Sequence, residues 1–194
     1  MTAQGKLIAV VGASGVGKDS VMRALVEASP RRFVLAKRTI DRPADAGGED
    51  HAPATPAEFA ELAAAGRFAL WWTAHGQSYG IRREVHDDLV AGFDVLANVS
   101  RAKLLEAASV FPGLVVLHLT ATPDTLRDRL TARGRENASQ IAGRLARPAP
   151  ALPASLPIVE ISNDGPLAKT CAAALARLGR DDTCTLSPAT EERR

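Results

Sequence analysis

The stretch LIAVVGASGVGKDS, residues 7–20, joins a short apolar run to a glycine-rich loop that ends in a lysine. The continuous apolar run at residues 7–11 predicts a strand that is buried on both faces. The spacing of Gly12, Gly17 and Lys18 matches the phosphate-binding pattern G-x-x-x-x-G-K. A helix is predicted to begin at Lys18, so the loop has the strand-to-helix context that the pattern requires.

Elementary physics explains why such a loop binds phosphate. Glycines allow backbone N–H groups to turn toward phosphate oxygens, and the start of the helix adds its positive dipole end. Lys18 is expected to bridge the β- and γ-phosphates of ATP. A tight strand-to-helix turn is the alternative interpretation, but the helix dipole disfavours a lysine at that place. The predicted ATP-binding residues are Gly12, Ala13, Ser14, Gly15, Val16, Gly17, Lys18, Asp19 and Ser20.

The magnesium position of the loop departs from the usual pattern. The serine or threonine that normally contacts Mg²⁺ is replaced by Asp19, and Ser20 follows it. Asp19 is expected either to bind Mg²⁺, which prefers carboxylate oxygens, or only to stabilise the helix N-terminus. Asp19 and Ser20 are the candidate metal residues. The strand predicted at residues 94–99 does not end in the aspartate that often completes such a site.

Strand and helix patterns alternate along the rest of the chain. Residues 38–54 are polar and rich in Gly, Pro and Asp, which predicts a loop. The alternation predicts an α/β fold of three layers, with a parallel sheet and helices on both faces. Further strands are predicted at residues 33–36, 68–73, 94–99, 114–120 and 156–161, and helices at residues 18–28, 56–65, 82–91, 123–133, 138–147 and 166–178.

Residues 55–58 carry three signals of a helix start. Thr55 is expected to cap the helix, Pro56 to take its first position, and Glu58 to complete a capping box.

The composition fits a globular enzyme without a strong charge preference. With 194 residues, 46% of them apolar, the chain can form a core for one domain. A net charge of +2 does not favour a nucleic-acid partner. No segment has the length of a signal peptide or membrane span, so a cytoplasmic protein with no membrane partner is expected. Cys171 and Cys184 lie outside any CxxC pair and are expected to be buried or idle thiols.

Arginine outnumbers lysine by 19 to five, and codon bias accounts for the excess as well as phosphate binding does. Only arginines within motifs are therefore informative. Arg129 and Arg133 are four residues apart on one helix face, and Arg144 lies on the next predicted helix. Two such helices favour a lid that neutralises the transferred phosphoryl group, although a solvated charged face is the alternative. The candidate catalytic residues are Lys18, Arg129, Arg133 and Arg144.

Several motifs occur together in one order: GASGVGKDS at 12–20, Arg42-Pro43, Glu58-Phe59, Gly76 with Tyr79-Gly80, and RLTARG at 129–134. With these motifs the chain resembles the guanylate-kinase-like P-loop kinases over nearly its whole length. Within that superfamily it resembles the ribose 1,5-bisphosphate phosphokinase family. The segments that carry this finer resemblance are GKDS (17–20), RPADAG (42–47), GFDVLANVSRA (92–102) and RGRENASQIAGRLAR (133–147).

The resemblance implies that ATP and ribose 1,5-bisphosphate give ADP and 5-phosphoribosyl 1-diphosphate, with Mg²⁺ as cofactor. It implies a role in phosphonate breakdown or in a bypass route to that diphosphate. The substrate-binding candidates are Arg42 and Tyr79, which match acceptor-phosphate residues of the superfamily, and Arg101, which adds a phosphate ligand.

The same resemblance implies a P-loop kinase fold with one domain at residues 1–179. An acceptor-binding insert is expected at about 38–81, a lid at about 129–147, and a disordered tail at 180–194. The partners are small molecules, namely the sugar bisphosphate and ATP. A homodimer is compatible with the sequence, which does not define the oligomeric state.

The chain differs from guanylate kinases at the residues that hydrogen-bond to the guanine base. Leu70 stands where those enzymes have a glutamate that holds guanine, and Asn98-Val99-Ser100-Arg101 stands where they have an acid. A site without its hydrogen-bonding groups discriminates poorly for a base. Ala44 and Asp45 replace the second arginine of the acceptor loop, and His51 takes a tyrosine position with an open role.

A phosphate acceptor is already largely ionised at neutral pH, because the second pKa of a phosphate monoester is about 6. In-line transfer therefore needs no general base, and positioning and charge neutralisation are expected to supply catalysis. The alternatives are a guanylate-type nucleoside-monophosphate kinase and a guanylate-kinase-like binding module without catalysis. Modules of the second kind tend to lose the lysine and the lid arginines that this chain keeps.

Overall fold

Nine strands and seven helices are described in the computed structural model, which covers residues 4–43, 49–134, 137–146 and 150–179. In chain order they are β1 (Leu7–Gly12), α1 (Lys18–Ala28), β2 (Phe33–Leu35), β3 (Thr39–Ile40), β4 (Ala52–Pro53), α2 (Pro56–Ala64), β5 (Phe68–Ala74), β6 (Gln77–Arg82), α3 (Val85–Val90), β7 (Asp94–Asn98), α4 (Leu104–Val110), β8 (Val115–Thr120), α5 (Pro123–Arg133), α6 (Ala138–Leu145), β9 (Ile158–Ser162) and α7 (Leu167–Leu178).

The central sheet has five parallel strands in the order β2-β7-β1-β8-β9. Strand β1 lies in the middle, with Ala9 paired with Ala97 on one side and with Val116 on the other. All of its apolar residues are buried, because helices cover both faces of a parallel sheet. The loop after β1 therefore opens at the carboxyl edge of the sheet, where such folds bind ligands.

Alternate residues of the central strands feed two separate apolar clusters. Ile8 and Val10 face α1, α5 and α7, whereas Leu7 and Ala9 face α3 and α4. This alternation follows from the period of two along a strand. The α/β architecture with helices on both faces of a parallel sheet is thus confirmed.

A second sheet lies between β2 and α3 along the chain, with the strand order β4-β3-β6-β5. Strands β5 and β6 form a hairpin whose turn places His75 and Gly76 at positive φ, 53° and 75°. The capping box of α2 is confirmed, because Thr55 and Glu58 exchange side-chain to backbone hydrogen bonds. No helix of the described residues could cross a membrane.

Two sequence-based expectations for secondary structure are corrected, and one helix was missed. Residues 38–54 are not all loop, because β3 and β4 lie there; strands of two residues are too short to show a period. The helix expected at 82–91 begins only at Val85, since Arg82 pairs with Phe68 in the hairpin. Helix α4 was not expected, although it buries Leu104 beneath the central sheet.

A buried ion pair joins the amino edge of the sheet to its neighbours. Oδ2 of Asp94 lies 3.1 Å from Nε of Arg32, and Oδ1 accepts the backbone N–H of Lys6 at 2.9 Å. Arg32 also donates to the carbonyl oxygen of Leu178 at 3.1 Å. The carboxylate thus links the start of β7 to the segments before β1 and β2, and through Arg32 to the end of α7.

We predict that Asp94→Ala destabilises the fold by about 3–5 kcal/mol, because it leaves the buried guanidinium of Arg32 without its counter-charge. Urea unfolding followed by circular dichroism measures this change. The matched control is Arg67→Ala, which removes one partner of an exposed ion pair with Glu84 and should cost less than about 1 kcal/mol. Equal losses in the two variants would contradict the role given to Asp94.

Candidate active site

The loop between β1 and α1 has backbone angles that require glycine. Gly15 and Gly17 have φ of 86° and 91°, in the left-handed region that other residues avoid. A Cβ atom on Gly17 would also lie 2.8 Å from Nδ2 of Asn163. The expected glycine loop, with α1 beginning at Lys18, is therefore formed as the motif requires.

Lys18 folds its side chain back over the loop. Its Nζ donates to the carbonyl oxygens of Gly12 at 3.1 Å and Ala13 at 3.3 Å. Burial lowers the pKa of Lys18; the charges of Arg38 and Arg101 act in the same direction, whereas those of Asp19 and Glu49 oppose them. This half-buried ammonium group, held only by two carbonyl oxygens, would gain from a charge-assisted hydrogen bond to a phosphate oxygen.

Asp19 lies beside Lys18 in an environment that disfavours its charge. Burial raises the pKa of Asp19, and the negative charge of Glu49 raises it further. Ser20, the other candidate metal residue, is exposed. No cluster of three or more His, Cys, Asp or Glu side chains that could hold a metal occurs in the described part of the chain.

Arg38, Glu49 and Asn98 form a hydrogen-bonded cluster near Lys18. The guanidinium of Arg38 binds the carboxylate through two bonds, Nε to Oε1 at 2.7 Å and Nη2 to Oε2. Nδ2 of Asn98 donates to the same Oε2 at 3.1 Å. Sequence reasoning missed Arg38 and Glu49, since neither belongs to a periodic pattern. The position of Arg38, four residues before Arg42, is a signal that could have pointed to it.

Aromatic rings support the guanidinium of Arg38. The Cζ atom lies 4.7 Å from the ring centroid of Tyr79 and 5.6 Å from that of Trp72, and these two rings stack on each other at 5.7 Å. The hydroxyl of Tyr79 donates to Oε1 of Gln77 at 3.1 Å. Tyr79, a predicted substrate residue, therefore lies against the same arginine that binds Glu49.

Arg42 has a buried polar atom without a partner. Its Nε makes no hydrogen bond with any described residue. The ring of His51 lies between two carbonyl oxygens, with Nε2 at 3.1 Å from that of Arg42 and Nδ1 at 3.0 Å from that of Glu49. Carbonyl oxygens only accept, so the N–H of a neutral His51 ring donates to one of the two, and the ring lies where the segments on either side of residues 44–48 meet. Residues 44–48, which include Ala44 and Asp45, lie outside the described residues.

Arg101 is held by a chain of side chains at the carboxyl edge of the sheet. Its Nη2 donates to Nε2 of His118 at 3.0 Å, and its Nη1 donates to the carbonyl oxygen of Pro150 at 3.1 Å. A guanidinium only donates, so Nε2 of His118 accepts and its Nδ1–H faces the carboxylate of Glu160 at 3.0 Å. Sequence reasoning did not find this link between His118 and Arg101.

Arg129 reaches the phosphate loop from α5. Its Nη1 donates to the carbonyl oxygen of Val16 at 3.3 Å, and its Nη2 donates to that of Asn163 at 2.7 Å. Arg133 is exposed one turn further along the helix. The side chain of Arg144 lies outside the described part of the structure, as do residues 135–136, 147–149 and 180–194.

The chain is similar in sequence to proteins of known name. The chain is 48% identical over 166 residues to ribose 1,5-bisphosphate phosphokinase PhnN of Ruegeria sp. (strain TM1040), covering 85% of this chain and 87% of that protein. It is 42% identical over 182 residues to ribose 1,5-bisphosphate phosphokinase PhnN of Pseudomonas paraeruginosa (strain DSM 24068 / PA7), covering 93% and 98%. No protein-family model matches the chain.

Among solved structures, guanylate kinase from Anaplasma phagocytophilum superimposes with a TM-score of 0.62 at 17% identity, covering 90% of this chain and 85% of that one. At this identity the likeness concerns the fold alone. It confirms the expected P-loop kinase fold.

We predict that Asp19→Asn raises the melting temperature of the nucleotide-free protein at pH 7. Since the pKa of Asp19 is raised in the folded state, ionisation of this carboxyl opposes folding at pH values above the folded pKa. The gain should vanish as the pH falls toward the ordinary value of about 3.9. Thermal unfolding at several pH values measures the effect.

The matched control is Asp50→Asn, because a hydrogen bond from Lys37 lowers the pKa of Asp50 and removing its charge should not stabilise the fold. Equal gains in both variants, or a gain for Asp19→Asn that persists at pH 4, would contradict the assignment.

Proposed function

The chain belongs to the ribose 1,5-bisphosphate phosphokinase family, and we propose that it transfers the γ-phosphoryl group of ATP to the 1-phosphate of ribose 1,5-bisphosphate. The products are ADP and 5-phosphoribosyl 1-diphosphate. The observation that carries this proposal is the formed phosphate loop with Lys18 folded over it, because the γ-phosphoryl group of ATP would replace the carbonyl oxygens that Lys18 now binds. The buried Nε of Arg42, which has no partner among the described residues, would bind a phosphate of the acceptor.

ATP occupies the loop from Gly12 to Ser20 in this proposal, with its phosphates along the backbone N–H groups. Lys18 exchanges its carbonyl partners for phosphate oxygens, since those carbonyls are weaker acceptors than a charged phosphate. Arg129 keeps the loop in position through the carbonyl oxygen of Val16. On closure of the lid, Arg129, Arg133 and Arg144 neutralise the transferred group and exclude water from it.

The acceptor binds on the side of the second sheet. Arg42 and Tyr79 hold the reacting 1-phosphate, and the unpartnered buried Nε of Arg42 supports this role because a phosphate oxygen would satisfy it. Arg101, oriented by His118, adds a guanidinium near Lys18. The acceptor is already ionised at neutral pH, so one of its oxygens attacks the γ-phosphoryl group in line without a general base.

Magnesium fits the residues beside the loop. Burial raises the pKa of Asp19, and the nearby carboxylate of Glu49 raises it further; a divalent cation would stabilise the ionised form against both effects. Mg²⁺ commonly takes one or two carboxylates and completes its shell with phosphate oxygens and water. We assign Asp19 as the protein ligand and Ser20 as a weaker candidate, since its side chain is exposed. When bound, Mg²⁺ neutralises charge on the β- and γ-phosphates.

A guanylate-type activity is less well supported. Leu70 and Val99, at the positions of the two base-reading acids, are 2% and 4% exposed and lie in the same apolar cluster. A guanine edge would find no hydrogen-bonding partner in that cluster, and leaving its polar groups unpaired is costly. A binding module without catalysis is also disfavoured, because Lys18 and Arg129 both contact the phosphate loop.

An acceptor panel tests the proposed function. We expect rapid ADP release with ribose 1,5-bisphosphate and little with ribose 5-phosphate, GMP or gluconate, and phosphorus NMR should show a diphosphate product. Lys18→Met should reduce turnover to background, because no other group in the loop carries its charge to the phosphates. Lys169→Met, an exposed change on α7, is the control and should stay active. Strong turnover of GMP with none of the bisphosphate would refute the proposal.

The magnesium assignment has a readout that does not depend on turnover. We expect Mg²⁺ to tighten ADP binding to the wild-type chain, and this gain should shrink in Asp19→Asn because a carboxylate ligand is lost. Calorimetric titration of ADP with and without Mg²⁺ measures it, with Asp50→Asn as the control. An undiminished gain in Asp19→Asn would leave that residue with a role at the helix N-terminus only.

A further inference from the structure

Arg38 is a buried cation in the acceptor half of the molecule for which sequence patterns supply no role. It is 8% exposed, and its fork is filled by the carboxylate of Glu49. A buried ion pair of this kind adds little net stability, because desolvation of both charges offsets their attraction. Stability alone therefore does not account for the buried pair of Arg38 and Glu49.

The guanidinium fork of Arg38 suits a phosphate as well as a carboxylate. Both anions accept two parallel hydrogen bonds from such a fork, and phosphate carries more charge at neutral pH. Trp72 and Tyr79 support the guanidinium from the ring side, which limits the orientations that it can adopt. Arg38 is thus preorganised for an anion that accepts two parallel hydrogen bonds in the place where Glu49 now binds.

The residues around Arg38 indicate which part of the acceptor it would contact. Trp72 belongs to the same apolar cluster as Leu70 and Val99, which occupy the positions of the base-reading acids. The part of the acceptor that is a base in guanylate kinases thus faces an apolar floor beside a guanidinium. A cleft of about 80 Å³ adjoins Arg38, with Asp19, Lys37 and Asn98 among its lining residues.

We propose that Arg38 binds the non-reacting 5-phosphate of the acceptor, which displaces the carboxylate of Glu49 from its guanidinium. The inference rests on the proposed function, since it concerns the second phosphate of the same substrate. Arg42, with its unpartnered Nε, remains for the reacting phosphate, because two phosphates at opposite ends of a sugar need two separate cations. Glu49 also accepts a hydrogen bond from Nδ2 of Asn98, which does not depend on Arg38.

Two sugar monophosphates separate the two ends of the acceptor. Ribose 5-phosphate carries only the group assigned to Arg38, and ribose 1-phosphate carries only the reacting group. Arg38→Met should weaken binding of ribose 5-phosphate at least about tenfold, since a bond to a charged group is lost, and binding of ribose 1-phosphate less than about threefold. Calorimetric titration of the full chain with each compound measures both constants.

Arg82→Met is the matched control. Arg82 also stacks on an aromatic ring, with Cζ 5.3 Å from the centroid of Phe68, and donates to Oγ1 of Thr39 at 2.9 Å, but it is not among the residues of the cleft. It should change neither constant. If Arg38→Met melts early, Arg38→Lys keeps the charge and the stem but loses the fork, and should show the same selective loss on a smaller scale.

The outcomes distinguish this inference from the proposed function. If the wild-type chain neither binds nor phosphorylates ribose 1,5-bisphosphate, the proposed function is wrong. If the wild-type chain phosphorylates it but the Arg38 variants weaken both monophosphates equally, or neither, the assignment of Arg38 to the 5-phosphate is wrong while the function stands. A selective loss of ribose 5-phosphate supports the assignment.

Discussion

The carbonyl oxygen of Val16 accepts hydrogen bonds from two distant parts of the chain. Nδ2 of Asn163 donates to it at 2.7 Å from the segment after β9, and Nη1 of Arg129 donates at 3.3 Å from α5. Asn163 is itself held by the hydroxyl of Thr170 at 2.7 Å. These bonds fix the carbonyl of the residue between Gly15 and Gly17, and so restrain the backbone of the phosphate loop. The loop is thus shaped by tertiary contacts as well as by its own glycines.

Positive and negative side chains lie next to each other on the acceptor side. Lys18 and Asp19 lie side by side, and both are influenced by Arg38 and Glu49. The pair of Arg38 and Glu49 neutralises itself in the free protein, so the site avoids an unpaired buried charge.

The structure corrects one conclusion about the acceptor site. The segment at Asn98 lacks the acidic residue that guanylate kinases have there, but the side chain of Glu49, 49 residues earlier in the chain, brings a carboxylate to Asn98. Its charge is already matched by Arg38, so it does not restore a base-reading group.

The sequence by itself determined the strand–loop–helix unit at residues 7–28, the capping box at Thr55 and the parallel three-layer fold, because each depends on local spacing and periodicity. It also led to Lys18, Arg42 and Arg129 through motifs. Only the tertiary structure decided that Glu49 meets Arg38 and Asn98, and that His118 orients Arg101. Those contacts join residues from different loops and strands, and no local pattern records the distance between segments that meet only when the chain folds.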